Sequence, residues 1–417
     1  MPRMIIFDDG LGQLGPMTDL RASFEVRTGM LTTAGRLAAH RPKSLAGYWV
    51  PDHLKSLLTE RANAPVNRLP DEEVFYCVNG RWAMPDPDLK LQIGEAATEE
   101  ATGHIVAAML RRADAEYFLT TRQLHERVAW RAIGKRLLYK YPWDVLSVIN
   151  KTITHDLLHV RMVDARVPSE EATVIGPHPV AVHDSATLYP NVVLDAEHGP
   201  IAIHERAVVR PGAVICGPSS IGRDSTIIDH ALIKPNTVIG PVCKIGGEVG
   251  GAIFQGYSNK SHDGHLGDSW VGKWVNFGAG TTNSNLLNTY GEVAMRLDPK
   301  GPVHKTGMTF IGAIVGDHVK LSINTRLMTG TLIGTGAMIA TTAAPPMVVR
   351  RFAWLTDRGE QMFRFEKFLD TAKSMMARRD REPSEAYVEA MRDLHEQAKT
   401  AKEAKAAQEA KAAKEAN

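Results

Sequence analysis

IHERAVVRPGAVICGPSSIGRDSTIIDHALIKPNTVIGPVCKIG, residues 203–246, places an aliphatic side chain at Ile203, Val209, Ile215, Ile221, Ile227, Ile233, Ile239 and Ile245. The spacing is six throughout. An α-helix repeats near 3.6 residues and an extended strand near 2, so neither puts one apolar type at every sixth place. A period of six is one face of a triangular coil. Three short strands of about six residues complete a turn, each aliphatic side chain points inward, and stacked turns pair their backbones.

The same spacing returns at Val315, Leu321, Leu327, Ile333 and Ile339, briefly at Val271 and Phe277, and earlier at Val182, Leu188 and Leu194. Residues 176–341 therefore read as an all-β parallel left-handed β-helix of hexapeptide repeats. Glycine follows the inward aliphatic at Gly222, Gly240 and Gly246, where the chain turns a corner. Gly246 to Val271 and Asn283 to Thr309 break the period and are expected to leave the coil as loops, the places where a rigid scaffold carries its sites.

The flanks read differently. Residues 1–165 suggest an α/β, Rossmann-like domain: Met4 to Phe7 is a short buried strand, a Gly-rich turn follows, and helices are expected over Ala101 to Arg111 and Arg122 to Tyr139, with a break at Tyr141-Pro142-Trp143. After the repeat, Pro345-Pro346 is expected to stop the coil. Within 345–395, Phe365, Phe368, Leu369, Ala372 and Met376 share one helical face, expected to pack on the coil's open end. Residues 396–417 are almost all Ala, Lys and Glu, a solvated helix or frayed tail to which no chemistry is assigned.

A chain of 417 residues predicts two or three domains, each able to bury its own core. The three cysteines, Cys77, Cys216 and Cys243, have no paired or metal-ligand spacing and read as buried thiols in a reducing compartment. Lys plus Arg of 49 against Asp plus Glu of 47 gives no global charge for nucleic acid or an anionic membrane. No apolar run reaches the length of a membrane span, and Met1 to Asp9 carries an acidic pair instead of a signal core, so the expected location is the cytoplasm.

Two stretches carry candidate chemistry. Gly256 to Asp268 is rich in donors and ionisable groups: a histidine at 262 can take a proton from an attacking amine or hydroxyl, since free imidazole titrates near neutral pH, and Asp263 beside it can orient it. The plain alternative is that His262 and His265 are exposed or bond a corner. Val275 to Asn285 strings together small residues against which a ligand can lie, and Asn285 offers both a donor and an acceptor. Here too, Gly and Asn can simply satisfy corner geometry.

In combination these stretches resemble the acetyltransferase half of the GlmU type of bifunctional N-acetylglucosamine-1-phosphate uridyltransferase/glucosamine-1-phosphate acetyltransferase. That family carries Asn-His-x-x-Tyr-x-Gly-Asp, then Val-Asn-x-Gly-Ala-Gly-Thr and a further Asn. His262 falls on the family's catalytic histidine, His265 replaces its tyrosine, Ser261 its preceding asparagine, Asn276 to Thr281 match, and Asn285 falls on the asparagine that contacts the sugar. The resemblance implies a homotrimer with acetyl-CoA as co-substrate held between coils near Ala279, Gly280 and Ser322. Tyr257, Lys260, His265 and Asn276 are the candidate substrate contacts. The change to His265, and Leu286-Leu287 after Asn285, leave open which amino sugar accepts the acyl group.

The N-terminal Pro16-Met17-Thr18-Asp19-Leu20-Arg21 and Arg27-Thr28-Gly29-Met30-Leu31-Thr32 look like the opening of divergent GlmU-like sugar nucleotidyltransferases. That implies a sugar phosphate and a nucleoside triphosphate as partners, Arg21 and Arg27 clamping phosphate, and Asp8 or Asp9 holding Mg²⁺. The loop Asp8-Asp9-Gly10-Leu11-Gly12-Gln13 lacks the arginine and most of the glycines of ordinary members. Two other classes compete with an acyl-CoA-dependent transferase. One is a non-catalytic trimeric scaffold or nucleotide-sugar sensor. The other is a metal enzyme like the γ-class carbonic anhydrases, with His262, His265, His304 and His318 as candidate ligands.

Overall fold

The computed structural model describes residues 2–415 apart from 87, 160, 161, 163 and 169–171, and side chains up to residue 404. The end of the Ala/Lys/Glu tail thus lies outside the described residues.

The N-terminal domain is built on β1 (Arg3–Phe7), whose Met4, Ile5, Ile6 and Phe7 are completely buried. Around it come α1 (Thr33–His40), β2 (Leu45–Trp49), α2 (Asp52–Thr59), β3 (Val74–Asn79), β4 (Glu95–Glu99), β5 (Ile105–Arg111), α3 (Arg112–Thr121) and β6 (Ala129–Gly134). The sheet order is β2-β1-β3-β5-β4-β6, with β1 parallel to both β2 and β3, and β5 antiparallel to β3 and β4. Two expected helices are overturned. Ile105 to Arg111 is a strand and Ala129 to Gly134 another, with the helix α3 between them. The reason is burial: Val106 to Leu110 is apolar without a break and hidden on both faces, which suits a sheet interior, whereas a helix at the edge of a domain needs a polar face. The break at Pro142 is the start of a further helical segment. The proline begins α4 (Pro142–Ser147), where its missing N–H costs nothing, and α5 (Ile149–His159) follows.

From Thr173 onward the chain forms three ladders of short parallel strands, the pattern of a β-helix. Val209 pairs with Ile227 and Ile227 with Ile245, one full turn apart, and Ile215, Ile221, Ile227, Ile233 and Ile245 are wholly excluded from solvent. The first break in the period does not leave the coil. Ile245 pairs with Lys260, Val249 with Leu266 and Phe254 with Val271, so Gly246 to Val271 forms coil turns of shorter length. Gly247 at φ +68° and Gly251 at φ +59° make the tighter corners. Each shortened corner slips the count by a residue or two while the inward column continues. The second break does leave: Leu286 to Phe310 is an excursion containing the hairpin Ala294–Met295 with His304–Lys305, closed by a bridge between its ends.

Nor do Pro345 and Pro346 stop the coil. Val348–Val349 pairs with Leu332 and Ile333, Ala353–Thr356 pairs with Met338 to Ala340, and the antiparallel Gly359–Met362 ends that ladder. The prolines fall in the connection, where no ladder N–H is required. Phe365, Phe368, Leu369, Ala372 and Met376 of α6 (Phe365–Ala377) are buried as expected, but against two surfaces: Phe352 at the coil's end, and Leu20 and Leu57 of the N-terminal domain. Helix α7 (Glu385–Glu415) adds Met391 and Leu394 to the same cluster.

The N-terminal domain lies along one coil face. Outward Val238, Ile253, Trp270, Ile314 and Leu332 are covered by Leu14, Met17, Trp143, Ile149 and Ile153. Cys77 and Cys243 are buried, whereas Cys216 is partly exposed, a departure from the expectation for all three. No helix among the described residues is long and apolar enough to cross a membrane.

Candidate functional site

Three places gather chemistry. The first follows from sheet topology. The chain leaves β1 to build β2 on one side and returns to build β3 on the other, so the crevice between the carboxyl ends of β1 and β3 is a topological switch point, where open α/β sheets bind ligands. Asp8 and Asp9 end β1; Asn79 and Arg81 end β3. A cavity of about 470 Å³ opens there, lined by Asp9, Leu11, His104, Arg122 and Trp130. Leu11 and Trp130 remain 52% and 67% exposed, apolar surface left open beside charge.

The carboxylates expected to hold Mg²⁺ are engaged elsewhere. Asp8 accepts from the backbone N–H groups of Ser23 (2.6 Å) and Gly10 (2.9 Å). Asp9 accepts from Arg81 Nε (2.8 Å), Asn79 Nδ2 (2.8 Å) and the Leu11 amide (3.0 Å). Burial pushes the Asp9 carboxyl up, but the bonds and charge of Arg81 outweigh it and hold the group below the usual carboxylate range. Among the described residues no three His, Cys, Asp or Glu side chains gather as a cation would need. As placed, these groups do not fit a divalent cation.

The expected phosphate clamp moves as well. Arg21 is buried, ion-paired with Asp317 of the coil and donating to the Met17 carbonyl at 2.7 Å. Arg27 donates to the Met30 carbonyl. Neither faces the crevice. Both line a second cavity of about 720 Å³ where the N-terminal domain, the coil and the C-terminal helices meet. Tyr257 lines it too, its ring 4.5 Å from that of Trp274, and is thereby removed from the histidine stretch.

The third place is an edge of the coil. Residues 261–264, 278–281 and 322–325 are successive corners stacked on one another: a Cβ built on Gly264 would meet the Thr281 carbonyl, one on Gly278 the backbone of Ser322 and Ile323, and Thr281 Oγ1 donates to the Ser322 carbonyl at 3.1 Å. This stacking brings His262, Ala279, Gly280 and Ser322 onto one edge. His262 is exposed, and no hydrogen bond joins it to Asp263 among the described residues, so the expected orienting pair is not formed. Lys260 is not a surface contact. It occupies an inward position of the coil, 2% exposed, and its ammonium donates to the carbonyls of Gly246 (3.0 Å), His262 (3.1 Å) and Gly264 (2.5 Å), burial pushing it down to about 8.

Around the corner, His265 and Asn285 flank Gly267: a Cβ there would lie 2.5 Å from His265 Nε2 and 2.6 Å from Asn285 Nδ2. His265 Nδ1 lies 3.4 Å from Glu248, which also pairs with Lys234 at 3.0 Å. Asn285 Nδ2 donates to Asp268 at 2.6 Å, and burial raises the Asp268 carboxyl against that bond. Asn276 sits on another face of the coil, beside Asn259 and Lys320. The remaining histidines are dispersed: His304 stacks near Tyr141 (5.0 Å) and Trp143 (5.9 Å), and buried His318 bonds Tyr387 at 2.9 Å. Arg81, His104, Arg122, Glu248 and Lys273 escaped the sequence reading because none sits in a motif; only the β1–β3 switch point, visible once strand order is known, points to the first three.

Residues 4–161 match the family model described as sugar nucleotidyl transferase. The chain is 34% identical over 212 residues to a bifunctional sugar-1-phosphate nucleotidylyltransferase/acetyltransferase of Sulfurisphaera tokodaii, covering 50% of this chain and 44% of that protein. It is 34% identical over 111 residues to the bifunctional protein GlmU of Methanococcus vannielii (26% of each chain) and 24% identical over 253 residues to that of Ralstonia pickettii (54% of this chain, 50% of the relative). The matches span half or less of each relative's length.

Proposed function

We propose that this GlmU-like chain transfers an acyl group from acetyl-CoA to an amino-sugar phosphate at the coil edge. The reading rests on one observation, the stacked corners that set His262 over Ala279, Gly280 and Ser322. In this reading the His262 imidazole, exposed and with no hydrogen bond among the described residues, takes a proton from the acceptor amine as the nitrogen attacks the thioester carbon. Backbone N–H groups of Ala279 and Gly280 stabilise the oxyanion, and the C–S bond breaks to release the thiol of coenzyme A. His265 and Asn285 contact the sugar beyond the corner. Lys260 acts from inside, tying down the carbonyls that shape the His262 corner. A homotrimer, with a second coil closing the acetyl-CoA groove, belongs to the same proposal.

For the N-terminal domain we infer binding of a nucleotide or sugar phosphate at the β1–β3 crevice, with Trp130 as a stacking surface and two polar groups in the lining: Arg122, which also donates to the Leu119 and Asp8 carbonyls, and His104, whose Nδ1 lies 3.1 Å from Arg81. Nucleotidyl transfer to a sugar 1-phosphate is the fuller form of that reading, and the engagement of Asp8 and Asp9 favours binding over transfer.

The test is calorimetric titration of acetyl-CoA into the wild type and His262→Ala, followed by thiol release with a panel of amino-sugar phosphates. Both proteins are expected to bind, and turnover is expected to fall by about 10²–10⁴ in the variant. Failure of either protein to bind acetyl-CoA would overturn the reading.

A further inference from the structure

The 720 Å³ cavity at the three-way seam is left without a role by both sites above. Its wall is continuous across the seam because Gln255 of the coil accepts from the Arg27 amide at 2.7 Å and donates to the Glu25 carbonyl at 2.9 Å. Some of the charges facing it are ion-paired: Arg21 with Asp317, and Arg61 with Glu25 at 2.6 Å. Glu60 accepts a hydrogen bond from Ser384, and the exposed Arg381 and Glu382 also line the cavity.

Two cations set into the wall and not exposed, Lys273 and Arg27, have no ion pair among the described residues. Lys273 Nζ, reaching in from the coil, makes no hydrogen bond or ion pair among the described residues. Arg27, from the N-terminal domain, keeps its Nε buried and without a partner. The carboxylates near Lys273, Glu25 and Asp317, are already held by arginines, and burial together with Arg21 and Arg61 pushes its ammonium down to about 8. An unmatched cation costs stability unless a ligand supplies its counter-charge. The same cavity has flat apolar walls: Tyr257 beside Trp274, and Phe24 stacked on Tyr48 with centroids 5.1 Å apart.

We propose that this cavity binds a nucleoside diphosphate or triphosphate, its phosphates on Lys273 and Arg27 and its planar base against the aromatic walls. A cavity of this volume holds a molecule of that size. The ligand would touch all three parts of the chain at once and, by mass action, stabilise their junction. The site is separate from the crevice and from the coil edge, so it stands whether or not either is catalytic.

The test is calorimetry on the full-length chain with pyrophosphate and with uridine or adenosine diphosphate as probes, read alongside thermal melting. The wild type is expected to bind all three. Lys273→Met is expected to weaken them by about tenfold or more and to melt no lower, and Lys273→Arg to restore binding. Tyr257→Asn, which suits the left-handed backbone at φ +57°, is expected to weaken the nucleotides and spare pyrophosphate. Equal affinity in the wild type and Lys273→Met, no binding by the wild type, or binding abolished by Arg122→Ala in the crevice would each overturn the proposal.

Discussion

Gly267 is the residue on which the sugar-facing side of the coil edge turns. Its missing side chain leaves the space in which His265 and Asn285 approach each other. An alanine there meets only the ends of these two side chains, which can swing aside, and the backbone at this position is not left-handed. Gly267→Ala is therefore expected to keep its melting temperature while acyl transfer falls by about a hundredfold through misplacement of both groups, whereas acetyl-CoA affinity, set at the neighbouring corners, stays unchanged. Steady-state kinetics with a melting curve checks this. Lys260 gives a second test at the same scale. Burial holds its ammonium down at about 8 in the folded chain, below the ordinary lysine value of 10.5, so between these values the unfolded chain holds a proton that the folded chain does not. Its contribution to stability therefore rises with pH across about 8 to 10.5 and is smallest at neutral pH. Urea denaturation at pH 7.5, 9 and 10 is expected to show the wild type gaining on Lys260→Met by up to about 1.4 kcal/mol per pH unit. A constant difference would show that the ammonium is not shielded as the three carbonyls suggest.

At the scale of elements, the coil was legible because its period is a property of side chains alone: an inward Ile at each sixth place reports the geometry wherever corners have standard length. It became illegible at Gly246 because Gly247 and Gly251 shorten two corners, and an inward lysine at 260 breaks the apolar pattern without breaking the ladder. The strand Ile105–Arg111 was misread for a related reason: an unbroken apolar run carries no period, and burial on both faces, a tertiary fact, decides between helix and strand. The candidate site was legible only in part. The histidine stretch and the Asn276 to Thr281 run could be picked out, yet Tyr257, Lys260 and Asn276 went to three different places, because neighbouring residues in a coil of this kind alternate between inside, corner and face. Arg21 and Arg27 were seen as a pair, but their destination depended on Asp317 and Gln255, more than 200 residues away.

The whole molecule is held as one body by contacts that no single element predicts. The outward face of the coil carries Val238, Ile253, Trp270, Ile314 and Leu332, which would be exposed apolar surface on an isolated coil, and the N-terminal domain covers them. Beside this patch Arg21 reaches across to Asp317, and both side chains are at least 96% buried, at 4% and 1% exposure. Asp317 in turn accepts from the Lys273 backbone N–H at 2.8 Å, and Arg351 of the coil pairs with Asp19 at 2.7 Å. Removing one member of the buried pair strands the other's charge, so Asp317→Ala is expected to cost about 3–5 kcal/mol, whereas the double variant Arg21→Met with Asp317→Ala recovers much of the loss because no charge is left unpaired. If the seam makes domain and coil one cooperative unit, the wild type unfolds in urea in a single transition by both tryptophan fluorescence and circular dichroism, and Asp317→Ala separates the two probes. The double variant then brings them together again. Two transitions already present in the wild type would mean that the apolar patch, and not the ion pair, is all that joins the halves, and that domain and coil melt independently beneath it.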